Sequence, residues 1–132
     1  MGHRWGEHVG ELELHLDGAD EAAVFASAVA ALGELLAADE AGRADEWFDV
    51  SAEGDDRAVL LAAWLDELVF LAEHERVVPV DVAELALART SIRARVGGYR
   101  ADPPHVVKAV TYHRLAFEPG DRGYRATVVL DV

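Results

Sequence analysis

The sequence predicts an α+β sandwich of about six mostly antiparallel strands and two helices. Three patterns support this fold class: one early segment alternates with period two, two segments show helical spacing, and everything after residue 77 returns to period two. Helices that interrupt a run of strands, instead of alternating with each strand, disfavour a doubly wound parallel sheet. With 132 residues and a 52% apolar share, the chain is expected to form a single domain over residues 1–132.

The first half of the chain provides one strand, a short β-prone run and both helices. Leucine alternates with polar residues over 11–17, which predicts a strand with one buried face. Apolar residues from Phe25 to Leu36 recur at helical spacing, so a helix is expected up to about Asp39. A β-prone run over 46–53 precedes a second amphipathic helix, which continues through about Glu75.

The second half of the sequence is predicted to consist of strands. Period-two segments place them at 78–82, 92–96, 106–117 and 124–132. The segment 118–123 between the last two is rich in proline and glycine, as in a hairpin connection. These two strands are therefore expected to be antiparallel neighbours.

Composition excludes several classes of function. The chain has 12 basic and 25 acidic residues and a net charge of −13, so its field repels phosphate backbones and no direct nucleic-acid partner is expected. Because cysteine is absent, thiol nucleophiles, disulfides and thiolate metal sites are excluded. The longest strictly apolar run, Ala58–Leu65, is far shorter than the roughly 20 residues of a membrane helix. We expect no membrane partner and a cytoplasmic location.

Common catalytic signatures are also missing from the sequence, which lacks a phosphate-binding loop, a dinucleotide fingerprint, a nucleophile elbow and a zinc-protease motif. We therefore expect a protein that is not an enzyme. The run from Asp49 resembles the start of a calcium loop, but Leu60 stands where a bidentate glutamate is required. His15 and His113 lie in predicted strands and are expected to be partly buried hydrogen-bonding residues rather than metal ligands.

Two segments near the end of the chain are harder to explain by packing. In the run from Val107 to His113, alternation gives neither face a uniformly apolar character, and the run contains Lys108, the only lysine. The last predicted strand reaches Val132 without a polar tail, so the α-carboxylate is expected at a strand end.

These two segments resemble the archease family. The run VKAVTYH (107–113), followed by Leu115, is similar to the family's signature strand, and VLDV (129–132) is similar to the family's ending. The segment WLDELVFL (64–71) resembles its second helix, and residues 8–12 align with an N-terminal His-Thr-Ala-Asp-Val element. The resemblance covers essentially the whole chain.

The resemblance implies a function, a partner and a set of site residues. Archeases act on the RtcB-type RNA-splicing ligase, a GTP- and metal-dependent enzyme, and promote its guanylylation and multiple turnover in tRNA processing without being ligases themselves. Carried over by position, the family's metal ligands become Glu11, Asp131 and Val132, and partner activation falls to Lys108, Asp131 and Glu11. Oxygen ligands of this kind favour a divalent ion such as Ca²⁺ or Mg²⁺.

The chain departs from the family pattern near its N-terminal ligand. Glu11 replaces an aspartate and is one methylene longer, while Val9 and Gly10 replace threonine and alanine. Two other functions stay open at this point. One is a metal-binding, chaperone-like modulator of other RNA-processing proteins; the other is an independent metallo-hydrolase that would use His8 as its base.

Overall fold

The computed structural model describes residues 2–8, 10–37, 42–101 and 107–132, and the side chain of residue 8 is outside that description. The described residues form seven strands and two helices: β1 (Gly2–His8), β2 (Glu11–Gly18), α1 (Glu21–Ala37), β3 (Glu46–Glu53), α2 (Arg57–Glu75), β4 (Val77–Leu87), β5 (Ser91–Arg100), β6 (Ala109–Gly120) and β7 (Gly123–Asp131). The predicted α+β class is confirmed. The sequence missed β1, and residues 38–41, at the expected end of the first helix, are not among those described.

The strands form two antiparallel sheets. One has four strands in the order β1-β2-β7-β6, and the other has three in the order β3-β5-β4. The hairpin predicted for the last two strands is confirmed, because β6 pairs with β7 on either side of the turn. The last strand along the chain therefore lies inside the larger sheet, between β2 and β6.

The core combines both sheets and both helices. Leu14 and Leu16 of β2 are buried, as their alternation predicts, and α1 packs on β2 and β4 while α2 packs on β6 and β3. Trp64 of α2 is fully buried, and its indole N–H donates to the Phe25 carbonyl of α1 at 3.1 Å. This bond satisfies the one polar atom of a large buried side chain and joins the two helices.

Side-chain caps fix where the helices begin. The Asp56 carboxylate accepts the Val59 N–H at 2.8 Å, which is the N-cap of α2. At the start of α1, the Asp20 carboxylate accepts the Ala23 N–H at 2.8 Å. The last turn of α2 is followed by Arg76 in a left-handed conformation, whose N–H donates to the Ala72 carbonyl.

Candidate functional site

One end of the four-stranded sheet brings the predicted metal ligands together. Glu11 begins β2, Asp131 ends β7, and the two residues are direct partners in the β2–β7 ladder. Directly opposed residues of an antiparallel pair place their side chains on the same face, with Cβ atoms about 4.5–5.5 Å apart. Both carboxylates therefore leave the same face of the sheet at the same end.

The backbone connects this carboxylate pair to the other two predicted site residues. The Lys108 N–H donates to the Asp131 carbonyl at 2.7 Å, and the Val132 N–H donates to the Gly10 carbonyl at 3.0 Å. Asp131 thus lies between Glu11 on one side and Lys108 on the other. We call Glu11, Lys108, Asp131 and Val132 the sheet-end site.

The Lys108 side chain is exposed, and within the described parts of the chain no carboxylate lies at ion-pair distance from its ammonium group. Strand alternation does not decide the direction of the Lys108 side chain, because β6 begins only at Ala109. Tyr112 also leaves the regular strand, since the β6–β7 register shifts just after Thr111.

The core explains why the carboxylates face away from it. Leu12 and Leu130, the next pair along the ladder, occupy the opposite face, and Leu130 is fully buried. A period of two then places Glu11 and Asp131 on the side away from this core. The buried Leu130 and the partly buried Leu12 fix the position of the backbone that carries the acidic pair.

The chemistry of these groups suits a hard cation. Glu11 and Asp131 provide oxygen donors of the kind that Ca²⁺ and Mg²⁺ prefer. Over residues 2–8, 10–37, 42–101 and 107–132, no three His, Cys, Asp or Glu side chains cluster as a metal site would require. A site here would therefore need the α-carboxylate of Val132 as its third charged donor, as the family resemblance implies.

The prediction of partial burial holds for His15 but not for His113. His15 is partly buried and bonds to Glu13 and Thr127, so its predicted role is confirmed. His113 is exposed, so the prediction of partial burial is wrong for it. It lies in the irregular part of β6, where strand alternation no longer decides which side chains are buried.

Acidic residues of α2 lie on its solvated face. Asp66 and Glu67 are exposed, and Glu73 and His74 continue that face two turns later. Although Asp66 is exposed overall, its carboxyl loses part of its water against the helix surface; this desolvation, and then the negative charge of Glu67, raise its pKa.

Of the exposed arginines of β5, Arg93 and Arg95 lie on the outer face of the smaller sheet, because they alternate with the buried residues of that strand. Arg95 pairs with Asp49 at 3.7 Å, and Arg100 pairs with Glu46 at 2.7 Å. Trp47 of β3 lies on the same outer face as Arg95. The sequence did not predict that these two residues are near each other, because only the β3–β5 register shows it. Acidic partners thus offset part of the positive charge on this face.

No helix within the described ranges is long and apolar enough to span a membrane.

Fold and site together define an α+β sandwich whose larger antiparallel sheet ends in a pair of acidic side chains. Its overall shape matches the solution structure of protein 1598 from Methanobacterium thermoautotrophicum, with a TM-score of 0.80 and 24% identity over 99% of each chain. Among sequence relatives, "Protein archease" of Archaeoglobus fulgidus is 28% identical over 137 residues, covering 100% of each chain. "Protein archease" of Methanothermobacter thermautotrophicus is 32% identical over 125 residues, covering 87% of each chain.

The family model described as the archease protein family matches residues 3–132. This chain belongs to the archease family, so the resemblance seen in the signature strand and at the end of the chain is confirmed.

Proposed function

We propose that this protein is a non-enzymatic activator of an RtcB-type RNA-splicing ligase, promoting the ligase's guanylylation and multiple turnover in tRNA processing. The observation that carries the proposal is the position of Asp131, which is paired with Glu11 across one ladder and bonded to Lys108 on its other side. Residues that the family resemblance singles out, although far apart in the sequence, thus meet at one sheet end.

The electrostatics of the chain support a protein partner of this kind. A net charge of −13 complements an enzyme whose surface is basic because it holds RNA. Charge complementarity of this type accelerates association and suppresses the wrong partners. Within the acidic chain, the exposed Lys108 ammonium supplies a local positive charge that a partner carboxylate or phosphate can contact.

A divalent cation would be held by Glu11, Asp131 and the Val132 carboxylate. When bound, the ion would supply positive charge that offsets the repulsion between these groups. The chain holds the ligand oxygens in place through its backbone. The Lys108 N–H donates to the Asp131 carbonyl, and the Val132 N–H donates to the Gly10 carbonyl, so residues 131 and 132 are anchored. The longer side chain of Glu11 keeps the charge and the two oxygens of an aspartate.

The test is an assay of guanylylation and multiple-turnover ligation with the ligase from the same organism. Lys108→Ala should keep the thermal midpoint and lose activation, because the exposed ammonium has no structural ion pair with any described residue. Arg122→Ala is the matched control, since Arg122 is an exposed cation in the turn at the opposite end of β7. This variant should activate normally.

Two results would contradict the proposal. One is an unmodified protein that changes neither guanylylation nor turnover of the ligase. The other is full activation by Lys108→Ala, which would remove Lys108 from the site. A third result would favour the chaperone-like alternative: this protein, when immobilised, retains other RNA-processing proteins but not the ligase.

A further inference from the structure

An irregular segment interrupts β6 close to the sheet-end site. Thr111 pairs with Val129 and Ala116 pairs with Thr127, so four residues, 112–115, stand opposite a single residue of β7. We call residues 112–115 the β6 bulge. Within it Arg114 has a φ of 55°, a left-handed conformation that is unfavourable for a residue with a side chain. Such a conformation persists only where the surroundings hold it in place.

An ion pair to another strand holds this segment. The Arg114 guanidinium lies 3.2 Å from a carboxylate oxygen of Glu13 on β2, and the Glu13 side chain is only 18% exposed. The β7 strand lies between these two residues in the sheet. We call this contact the Arg114–Glu13 bridge.

Further contacts fix the acidic partner of the bridge. The second Glu13 oxygen lies 3.0 Å from His15 Nε2, and His15 Nδ1 lies 3.3 Å from the Thr127 hydroxyl. A neutral imidazole with its proton on Nε2 donates to Glu13 and accepts from Thr127. Because both carboxylate oxygens are engaged, Glu13 presents a fixed acceptor to Arg114.

Burial on the same face agrees with a bulge that folds over the sheet. Val129 lies between Glu13 and Thr111 in the register, on the face away from the helices, and it is nevertheless fully buried. The Thr111 hydroxyl is also buried, and no described group bonds to it. The bridge joins the bulge to Glu13, the β2 ladder partner of Val129, and therefore spans β7 in this part of the sheet.

The same geometry leaves two side chains of the bulge directed to solvent. Tyr112 is 61% exposed, and His113 is also exposed. Tyr112 lies three residues after Ala109, which is the direct ladder partner of Asp131, so the bulge follows immediately on the sheet-end site. A tyrosine presented on a held backbone provides a large contact area at a low cost in conformational entropy.

We propose that Arg114 is a positioning residue, which through its bridge to Glu13 holds the β6 bulge so that Tyr112 and His113 form a second contact with the ligase beside Lys108. The partner role of this contact rests on the proposed function. Whether the bridge holds the β6 bulge in place does not depend on the proposed function, because this is a property of the isolated protein.

The first measurement is hydrogen exchange of the backbone amides of residues 112–115 in the full chain. Arg114→Gly removes the guanidinium without strain, because glycine tolerates a positive φ. Glu13→Ala breaks the bridge from β2 and leaves the bulge sequence unchanged. Both should accelerate exchange at 112–115 at least tenfold, and Arg114→Lys, which keeps a cation, should restore part of the protection.

The matched control is Arg125→Ala, which breaks the exposed Arg125–Glu118 pair, at 3.0 Å, of the same sheet. It should leave exchange at 112–115 unchanged. Unaltered exchange in both Arg114→Gly and Glu13→Ala would overturn the proposal.

The second measurement is titration calorimetry of each variant with the ligase. The two bridge variants should bind at least fivefold more weakly than the unmodified protein and the Arg125→Ala control. Faster exchange with unchanged affinity would overturn the partner contact. If the unmodified protein itself does not bind the ligase, the proposed function fails, while the exchange result still decides whether Arg114 holds the bulge.

Discussion

Calcium should reverse the effect of removing one carboxylate from the sheet-end site. Glu11 and Asp131 are direct ladder partners, so their Cβ atoms lie about 5 Å apart, and we take this as the separation of their charges. Between the dielectric of water and that of a protein surface, such a pair repels by about 1–3 kcal/mol. Asp131→Asn keeps the side-chain shape and removes this repulsion. Without divalent ions, the variant should therefore gain about 1 kcal/mol in free energy of unfolding.

A bound ion changes the sign of this difference. At a hundredfold excess over the dissociation constant, a ligand that binds only the folded state adds about 2.7 kcal/mol to the free energy of unfolding. The unmodified chain should receive this increment from Ca²⁺ or Mg²⁺, and Asp131→Asn should lose most of it. The variant should then be the more stable protein in chelator and the less stable one in excess calcium.

Thermal unfolding followed by circular dichroism, with chelator and with each ion, tests this reversal. Asp121→Asn is the control, because Asp121 is an exposed acid in the turn at the opposite end of β7. A chain extended beyond Val132 should fold and respond less to the ions, since a peptide carbonyl replaces a charged oxygen. An unmodified chain with the same midpoint in chelator and in calcium would refute the metal site.

Three further variants test packing, pH dependence and the lysine. In Gly33→Ala, the new Cβ would lie 2.2 Å from the Pro79 carbonyl oxygen. Alanine favours a helix by about 1 kcal/mol, but the clash costs more, so we expect the free energy of unfolding in urea to fall by about 1–3 kcal/mol. The raised pKa of Asp66 means that the folded state holds its proton more tightly, so stability falls as pH rises from the ordinary value of 3.8 through that raised pKa. Asp66→Asn should therefore gain up to about 0.5 kcal/mol at pH 7 and nothing at pH 3 in the same assay. Lys108→Arg should activate the ligase less than the unmodified protein, because a planar guanidinium does not replace a compact ammonium.

Controls and contrary outcomes differ among these variants. Gly6→Ala, whose Cβ would meet no atom closer than 3.6 Å, should be nearly neutral, and equal stability of Gly33→Ala would contradict the close approach of α1 to β4. A gain for Asp66→Asn that persists at pH 3 would exclude its titration as the cause. Full activation by Lys108→Arg would show that charge alone is sufficient at this position.

The sequence predicts most of the fold because burial leaves a periodic pattern. Leu14 and Leu16 alternate along β2 and are buried on one face of it, and Trp64 lies on the apolar face of a helix. The first strand has no such pattern, since GHRWGEH contains two glycines and no alternating apolar residues. It is a strand because its backbone pairs with β2 along its whole length, and periodicity does not record that interaction.

The site was predictable only where it depends on strand ends. Glu11 and Asp131 lie at the ends of strands visible in the sequence, and the family resemblance connects them. The Arg114–Glu13 bridge was not predictable, because the β6 bulge appears only when Thr111 and Ala116 are matched to β7. The same register shift explains why alternation failed for His113.

The position of β7 also has a consequence for biosynthesis. Its partners β2 and β6 lie on either side of it, so two of the three ladders in the larger sheet require residues 123–131. A nascent chain on the ribosome can make helices and the smaller sheet earlier, but β2 and β6 must wait with unpaired edges until this segment emerges. Open strand edges are templates for aggregation. Chains truncated before Gly123 are thus expected to be substrates for chaperones or proteases rather than partly active proteins.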